Sequence, residues 1–176
     1  SSPPFYFFNT NQLSTEVPSR IGEPADFAIK CSGNVLADRS VCAKIEIELL
    51  NNVTGSFQIV SCLVEDSITD YQTVYPGKHP GYTGASDDTY SNYMHRHVLR
   101  DLFGHYGVNE GGAALSGSIW GDAITGSTNA GDIKQYVISS SPMPALWDEN
   151  HLYIVSYVFD DSTKEVLQVI ETKITP

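Results

Sequence analysis

The sequence predicts an all-β domain: an antiparallel β-sandwich, jelly-roll-like, with long loops and at most one or two short helices. Three observations carry that prediction. Residues 41–50 alternate strictly, with Val41, Ala43, Ile45, Ile47 and Leu49 on one side and Cys42, Lys44, Glu46 and Glu48 on the other. That is period two, the pattern of a sheet with one face on a core and one in water. Residues 56–65 and 151–160 are instead apolar on both sides, as central strands covered on both faces would be. Turn-forming runs separate these segments, and helical periodicity is scarce.

Taken in order, the chain opens with the aromatic run Phe5-Tyr6-Phe7-Phe8 inside a segment, 1–24, that reads as an N-terminal arm or edge segment. The sandwich domain is expected over 25–176. Residues 25–31 alternate as a strand, and Ser32-Gly33-Asn34 is expected to break it. The strands at 41–50 and 56–65, joined by Asn51-Asn52-Val53-Thr54-Gly55, are expected to form an antiparallel hairpin. Residues 66–92 read as a long polar insertion in which Tyr71, Tyr75, Tyr82 and Tyr90 alternate with proline, glycine and aspartate. A stretch of that length without periodicity is functional or mobile.

Tyr93 to Phe103 admits two readings. Met94, Val98 and Leu102 make an i, i+4, i+8 stripe between a candidate cap at Ser91 and Gly104, which favours a short helix or an irregular segment. The strand alternative puts His95, His97 and Leu99 on one side. Residues 104–131 hold eight glycines and read as loop or bulged strand. Ile133–Ser140 is strand-like, and the strand at 151–160 turns through Asp160-Asp161-Ser162-Thr163-Lys164 into an alternating stretch at 165–174. The chain therefore ends in a hairpin.

Composition bounds the function. The chain has 176 residues, 10 Lys plus Arg and 21 Asp plus Glu, for a net charge of −11. Nucleic-acid binding is dominated by cationic neutralisation of phosphate and is disfavoured, as is docking on an anionic membrane surface. No stretch approaches the roughly 20 apolar residues of a membrane helix. The opening Ser1-Ser2-Pro3-Pro4 reads as that of a mature or excised fragment. The three cysteines, Cys31, Cys42 and Cys62, leave at least one thiol unpaired. Cys31 falls on the apolar side of its strand and Cys42 on the polar side of its own, so the expectation is that no disulfide forms.

No nucleophile elbow, phosphate loop or dinucleotide fingerprint is present, so no enzyme activity and no cofactor or metal is implied. The candidate binding residues are Tyr71, Tyr75, Tyr82, Tyr90, His95, His97 and Arg100. Tyrosines give a recognition surface large contact area at low entropic cost. The run His95-Arg96-His97 carries the alternative of a cupin-like metalloenzyme, since imidazoles two apart on a strand share a face. On a helix they diverge by about 200°. Arg100 has the competing role of an ion-pair partner. A third alternative is an accessory domain that binds nothing.

The run Tyr93-Met94-His95-Arg96-His97-Val98-Leu99-Arg100-Asp101 follows a strand ending Val64-Glu65-Asp66. Further on come Trp120-Gly121-Asp122-Ala123-Ile124 and the closing run from Tyr157 to Gln168, which includes Thr163-Lys164-Glu165-Val166-Leu167-Gln168. Together these resemble the C-terminal part of the Porphyromonas-type outer-membrane lipoproteins, of about twenty-eight kilodaltons, found in Bacteroidetes. The resemblance covers roughly residues 41–172. It implies a signal sequence, a lipidated cysteine and, in many members, a thioredoxin-like region upstream. It also implies a β-sandwich at the outer membrane, exposed at the cell surface and held there only through the lipid. The role it suggests is adhesin or receptor-like capture of a host protein or glycan. It supplies no catalytic residues.

Overall fold

The computed structural model describes Pro18 and residues 21–74, 88–103 and 121–176. Ten strands are described: β1 Phe27–Val35, β2 Val41–Leu49, β3 Phe57–Glu65, β4 Ile68–Val74, β5 Asp88–His95, β6 Val98–Phe103, β7 Asp122–Ala123, β8 Ile133–Ser139, β9 Leu152–Asp160 and β10 Val166–Lys173. One 3-10 turn, Glu149–His151, precedes β9. The strands form an antiparallel sandwich. One sheet has the order β1-β2-β8 and the other β10-β9-β3-β6, with β7 also paired to β3. Strands β4 and β5 make a separate two-stranded ribbon.

The core lies where the alternation places it. Phe27, Val41, Ile45, Ile47 and Leu49 from the first sheet meet Ile59, Leu63, Leu152, Ile154 and Val158 from the second. Full burial of such a side chain is worth about 1.5–3 kcal/mol over leaving it exposed. Phe27 and Phe57 meet edge to face at 5.1 Å. One side of the sandwich is closed where β1 meets the C-terminal strand. There the Val35 amide donates to Thr175 O at 3.0 Å, and Gln168 Nε2 donates to Phe27 O at 3.1 Å.

Four expectations are corrected. The segments 41–50 and 56–65 do not pair: β2 lies between β1 and β8, whereas β3 lies between β9 and β6. A strand apolar on both faces gains most at the centre of a sheet. The two such strands, β3 and β9, therefore pair over nine positions, from Phe57↔Asp160 to Glu65↔Leu152. The one-sided strands β1 and β2 pair with each other. The connection at 50–56 instead crosses between the sheets, pinned by Val53 N donating to Thr128 O at 3.0 Å.

The break expected at Ser32-Gly33-Asn34 is strand, and β1 runs on to Val35. Gly33 serves packing there. A Cβ at that position would lie 2.9 Å from the Ala43 Cβ and 3.0 Å from Ile154 Cδ1. The helix favoured for 93–103 is two strand segments, β5 and β6, which belong to different sheets. Finally, the polar insertion at 66–92 contains β4 and the start of β5. The terminal hairpin forms as expected, with Asp160 N donating to Glu165 O at 3.0 Å and Lys164 left-handed at φ 64°. The aromatic run at 5–8 lies outside the described residues.

Candidate functional site

The β4–β5 ribbon continues the antiparallel pair β3–β6 beyond the edge of the sandwich. The β3–β6 ladder ends at Glu65↔Val98, and the ribbon begins at Ile68↔His95 and runs to Val74↔Asp88. Its sequences, Ile-Thr-Asp-Tyr-Gln-Thr-Val and Asp-Thr-Tyr-Ser-Asn-Tyr-Met-His, are rich in threonine and tyrosine, which favour the pleated conformation. Neither strand carries a long apolar stripe, and among the described residues the ribbon pairs with no other sheet.

Its two faces differ. Ile68, Tyr93 and His95 are half-buried, and the Tyr93 and His95 rings meet at 4.9 Å, edge to face. Thr69, Tyr71, Asn92 and Met94 are exposed, Tyr71 at 68% and Met94 at 51%. The two strands are tied by His95 Nε2, which lies 3.2 Å from Tyr71 O. The Asp70 carboxylate accepts the Tyr71 amide at 2.7 Å. Beside Met94 stands Arg96, with Nη2 at 3.8 Å from the thioether sulfur. An aromatic ring, a polarizable thioether and a guanidinium on one exposed strip are the side chains that carry most contact energy at protein interfaces.

The structure separates the remaining candidates. Tyr90 lies in β5 opposite Gln72. Tyr75 and Tyr82 lie outside the described residues. His97 is on the sandwich side of the ribbon's root, where its Nε2 is 2.8 Å from Glu171 Oε2 and its ring is 6.3 Å from that of Tyr153. His95 and His97 therefore face different partners. No group of three or more His, Cys, Asp or Glu side chains is placed to hold a metal among the described residues. Arg100 takes its competing role as an ion-pair partner. Its Nε donates to Glu65 Oε2 at 2.8 Å, and its guanidinium lies 5.3 Å from the Trp147 ring centre.

A depression of about 430 Å³ floored by Arg39, Trp147 and Glu149 is also structural in its chemistry. The Arg39 guanidinium pairs with Glu149 and donates to the carbonyls of Met143, Pro144 and Trp147, which uses up its fork. Sequence reasoning missed Met94, assigning it to a helical core stripe. The strand alternative held the signal, because it puts Met94 on the face opposite His95.

The described residues thus form an antiparallel sandwich that bears an exposed two-stranded ribbon. The family model for the outer membrane protein Omp28 matches residues 8–176, and the chain belongs to that family. The fold is similar to a crystal structure of a domain of the outer membrane lipoprotein Omp28 from Porphyromonas gingivalis. The TM-score is 0.51 at 20% identity, covering 86% of this chain and 90% of that one. No curated protein matches the chain. It is thus a domain of an outer-membrane protein. Among the described residues no helix is long and apolar enough to cross a membrane.

Proposed function

We propose that this domain is a binding module exposed at the cell surface, acting as an adhesin or receptor-like unit that captures a host protein or glycan without catalysing a reaction. The observation that carries this reading is the exposed strip of Tyr71 and Met94 on a ribbon that stands apart from both sheets of the sandwich. Exposed rings and thioethers on a polar ribbon serve contact better than stability, because they bury little against their own chain.

A binding array of matrix proteins and glycans, probed with the intact domain and with a Tyr71→Ala, Met94→Ala variant, tests the proposal. The intact domain is expected to bind a small set of targets, and the variant to lose at least about tenfold in affinity, the equivalent of about 1.4 kcal/mol. Silence across the array, or equal binding by the two proteins, overturns it.

A further inference from the structure

Sheet pairing lapses between the two ladders of the long β3–β4/β5–β6 pair, each of which also carries one register shift of its own. Two residues on each chain fall between the last sandwich pair, Glu65↔Val98, and the first ribbon pair, Ile68↔His95. They are Asp66 and Ser67 on one chain and Arg96 and His97 on the other. Ser67 and His97 are both left-handed, at φ 61° and 52°. Neither is a glycine, and an L-residue adopts that conformation only when its surroundings impose it. By the flanking register Ser67 stands opposite Arg96 and His97 opposite Asp66, so the two left-handed residues lie diagonally across the joint, one on each strand. The Asp66 amide meanwhile turns away from the partner strand and donates to His151 O at 2.9 Å.

Three side chains span the joint or strap it down. Arg96 Nη1 is 3.0 Å from Asp66 Oδ2, with the arginine mostly exposed and the aspartate 7% exposed. The other carboxylate oxygen, Asp66 Oδ1, is buried and meets no hydrogen-bond donor among the described residues. His97 reaches Glu171 on β10, so the ribbon's root is held against the outer face of the sheet. Below the joint, Glu65 is fixed from two sides by Arg100 Nε at 2.8 Å and the Asp148 amide at 3.0 Å, so the sandwich end is rigid.

We propose that the Asp66-Ser67/Arg96-His97 joint is a hinge on which the β4–β5 ribbon swings against the sandwich, latched at its present angle by Arg96–Asp66 and His97–Glu171. The inference does not depend on what the ribbon binds. Of the latch residues Arg96, His97 and Glu171 are open to solvent, where a charged partner or a change of salt reaches them, and Asp66 is buried. The ribbon keeps its own pairing and moves as one piece.

Electron-paramagnetic distance measurement on the whole chain tests this, with spin-labelled unnatural residues at Thr73 on the ribbon and Val169 on β10. A second pair, Lys30 and Val169, spans the sandwich alone. The parent protein is expected to give one narrow Thr73–Val169 distance. The Arg96→Gln, His97→Gln variant is expected to give a distribution at least twice as broad, or a second distance, while the Lys30–Val169 distance stays unchanged. A Thr73–Val169 distribution that superimposes on the parent's overturns the hinge. Broadening of the Lys30–Val169 pair as well also overturns it, since the two residues would then hold the sandwich together and not the ribbon's angle.

Discussion

Arg100 and Glu65 close one end of the sandwich. The carboxylate is 4% exposed at the end of β3, and the guanidinium reaches it at 2.8 Å from β6 while lying over Trp147. Glu65 Oε1 accepts the Asp148 amide, so the same carboxylate also anchors the loop that enters β9. Truncating one partner of a buried pair leaves an uncompensated charge. Arg100→Ala is therefore expected to cost about 3 kcal/mol, in the range for broken buried pairs. Replacing both residues, as Arg100→Met with Glu65→Met, is expected to recover only part of that loss, because the Asp148 amide then loses its acceptor. Urea unfolding of the single and double variants measures both. A single variant within about 0.5 kcal/mol of the parent would show that the pair is screened like a surface one.

How much of this was legible in the residues depends on which physical signal each one carries. Alternation marks a face, so the inward row of β2 and the two-sided burial of β3 and β9 were readable. Alternation does not name a partner. Nothing in Val41–Leu49 says that its neighbour is β8, roughly ninety residues on. The ribbon was illegible as strand because both its faces are polar or half-buried. At the β5–β6 junction, the spacing of Met94, Val98 and Leu102 imitated a helix. The break there is made by His97 in a left-handed conformation, which sequence reading expects of glycine. Of the candidate residues, Tyr71 is exposed on β4. Arg100 carried both a binding and an ion-pair role in the sequence, because its partner, Glu65, ends a segment whose burial only the fold decides.

The centre of the core holds a polar pair. Ser61 and Ser156 face each other across β3 and β9, with hydroxyl oxygens 2.9 Å apart and both side chains buried. Cys31 packs against the same core. Removing one hydroxyl from such a pair unbalances the other. Ser156→Ala is expected to cost about 1–2 kcal/mol, and Ser61→Ala to cost less in that background than in the parent, a coupling of about 0.5–1.5 kcal/mol. A double-mutant cycle by denaturant unfolding gives the coupling directly. Strict additivity would mean that the two hydroxyls are satisfied independently.

Gly121 admits no side chain. Its φ is 126°, and a Cβ there would lie 2.4 Å from Ile59 O and 2.8 Å from Val60 Cγ2, both on the central strand β3. Backbone cannot yield as a flexible side-chain tip can. Gly121→Ala is expected to destabilise by more than about 1 kcal/mol. Gly22, also left-handed at 91° but with nothing within 4 Å, is the control. Gly22→Ala is expected to cost about 1 kcal/mol from conformation alone. Melting temperatures of the two variants should therefore separate, with Gly121→Ala the lower.

Stability is expected to fall at both ends of the pH scale. Asp38, Asp132, Asp148 and Asp160 are held below the ordinary value of 3.8 by hydrogen bonds from Ser40, Ser127, the Asn150 amide and Ser162. A depressed carboxylate adds stability that is present above its unfolded pKa and is lost as pH falls through the folded one. Burial pushes the thiols of Cys31 and Cys62 above 9.0 and the phenols of Tyr136 and Tyr157 above 10.0. A raised group adds stability that is complete below its unfolded pKa and is lost as pH rises through the folded one. Melting temperature is therefore expected to be flat between about pH 5 and 8, to drop below 3.8 and to drop above 9. A Cys31→Ala, Cys62→Ala variant should show a shallower alkaline limb. An alkaline limb unchanged in that variant would assign it to the tyrosines alone.

The three thiols should differ in reactivity, and their order reports the facing of β1 and β2. Cys31 is packed against the core, and burial pushes its thiol up. Cys62 donates to Val155 O at 3.6 Å. Cys42 lies on the solvent side of β2, in the row of Lys44 and Glu46, one residue out of step with the inward Val41 and Ala43. Burial keeps Cys31 and Cys62 protonated, and the thiolate is the species that alkylates. Iodoacetamide at pH 8 is therefore expected to modify Cys42 first, with Cys31 and Cys62 reacting only once denaturant opens the sandwich. Peptide mass mapping over a time course reads the order. A fast Cys31 would mean that β1 presents its other face to solvent. A Cys42 that resists even in denaturant, until a reductant is added, would mean that it is bridged and that one of the two strands is turned over.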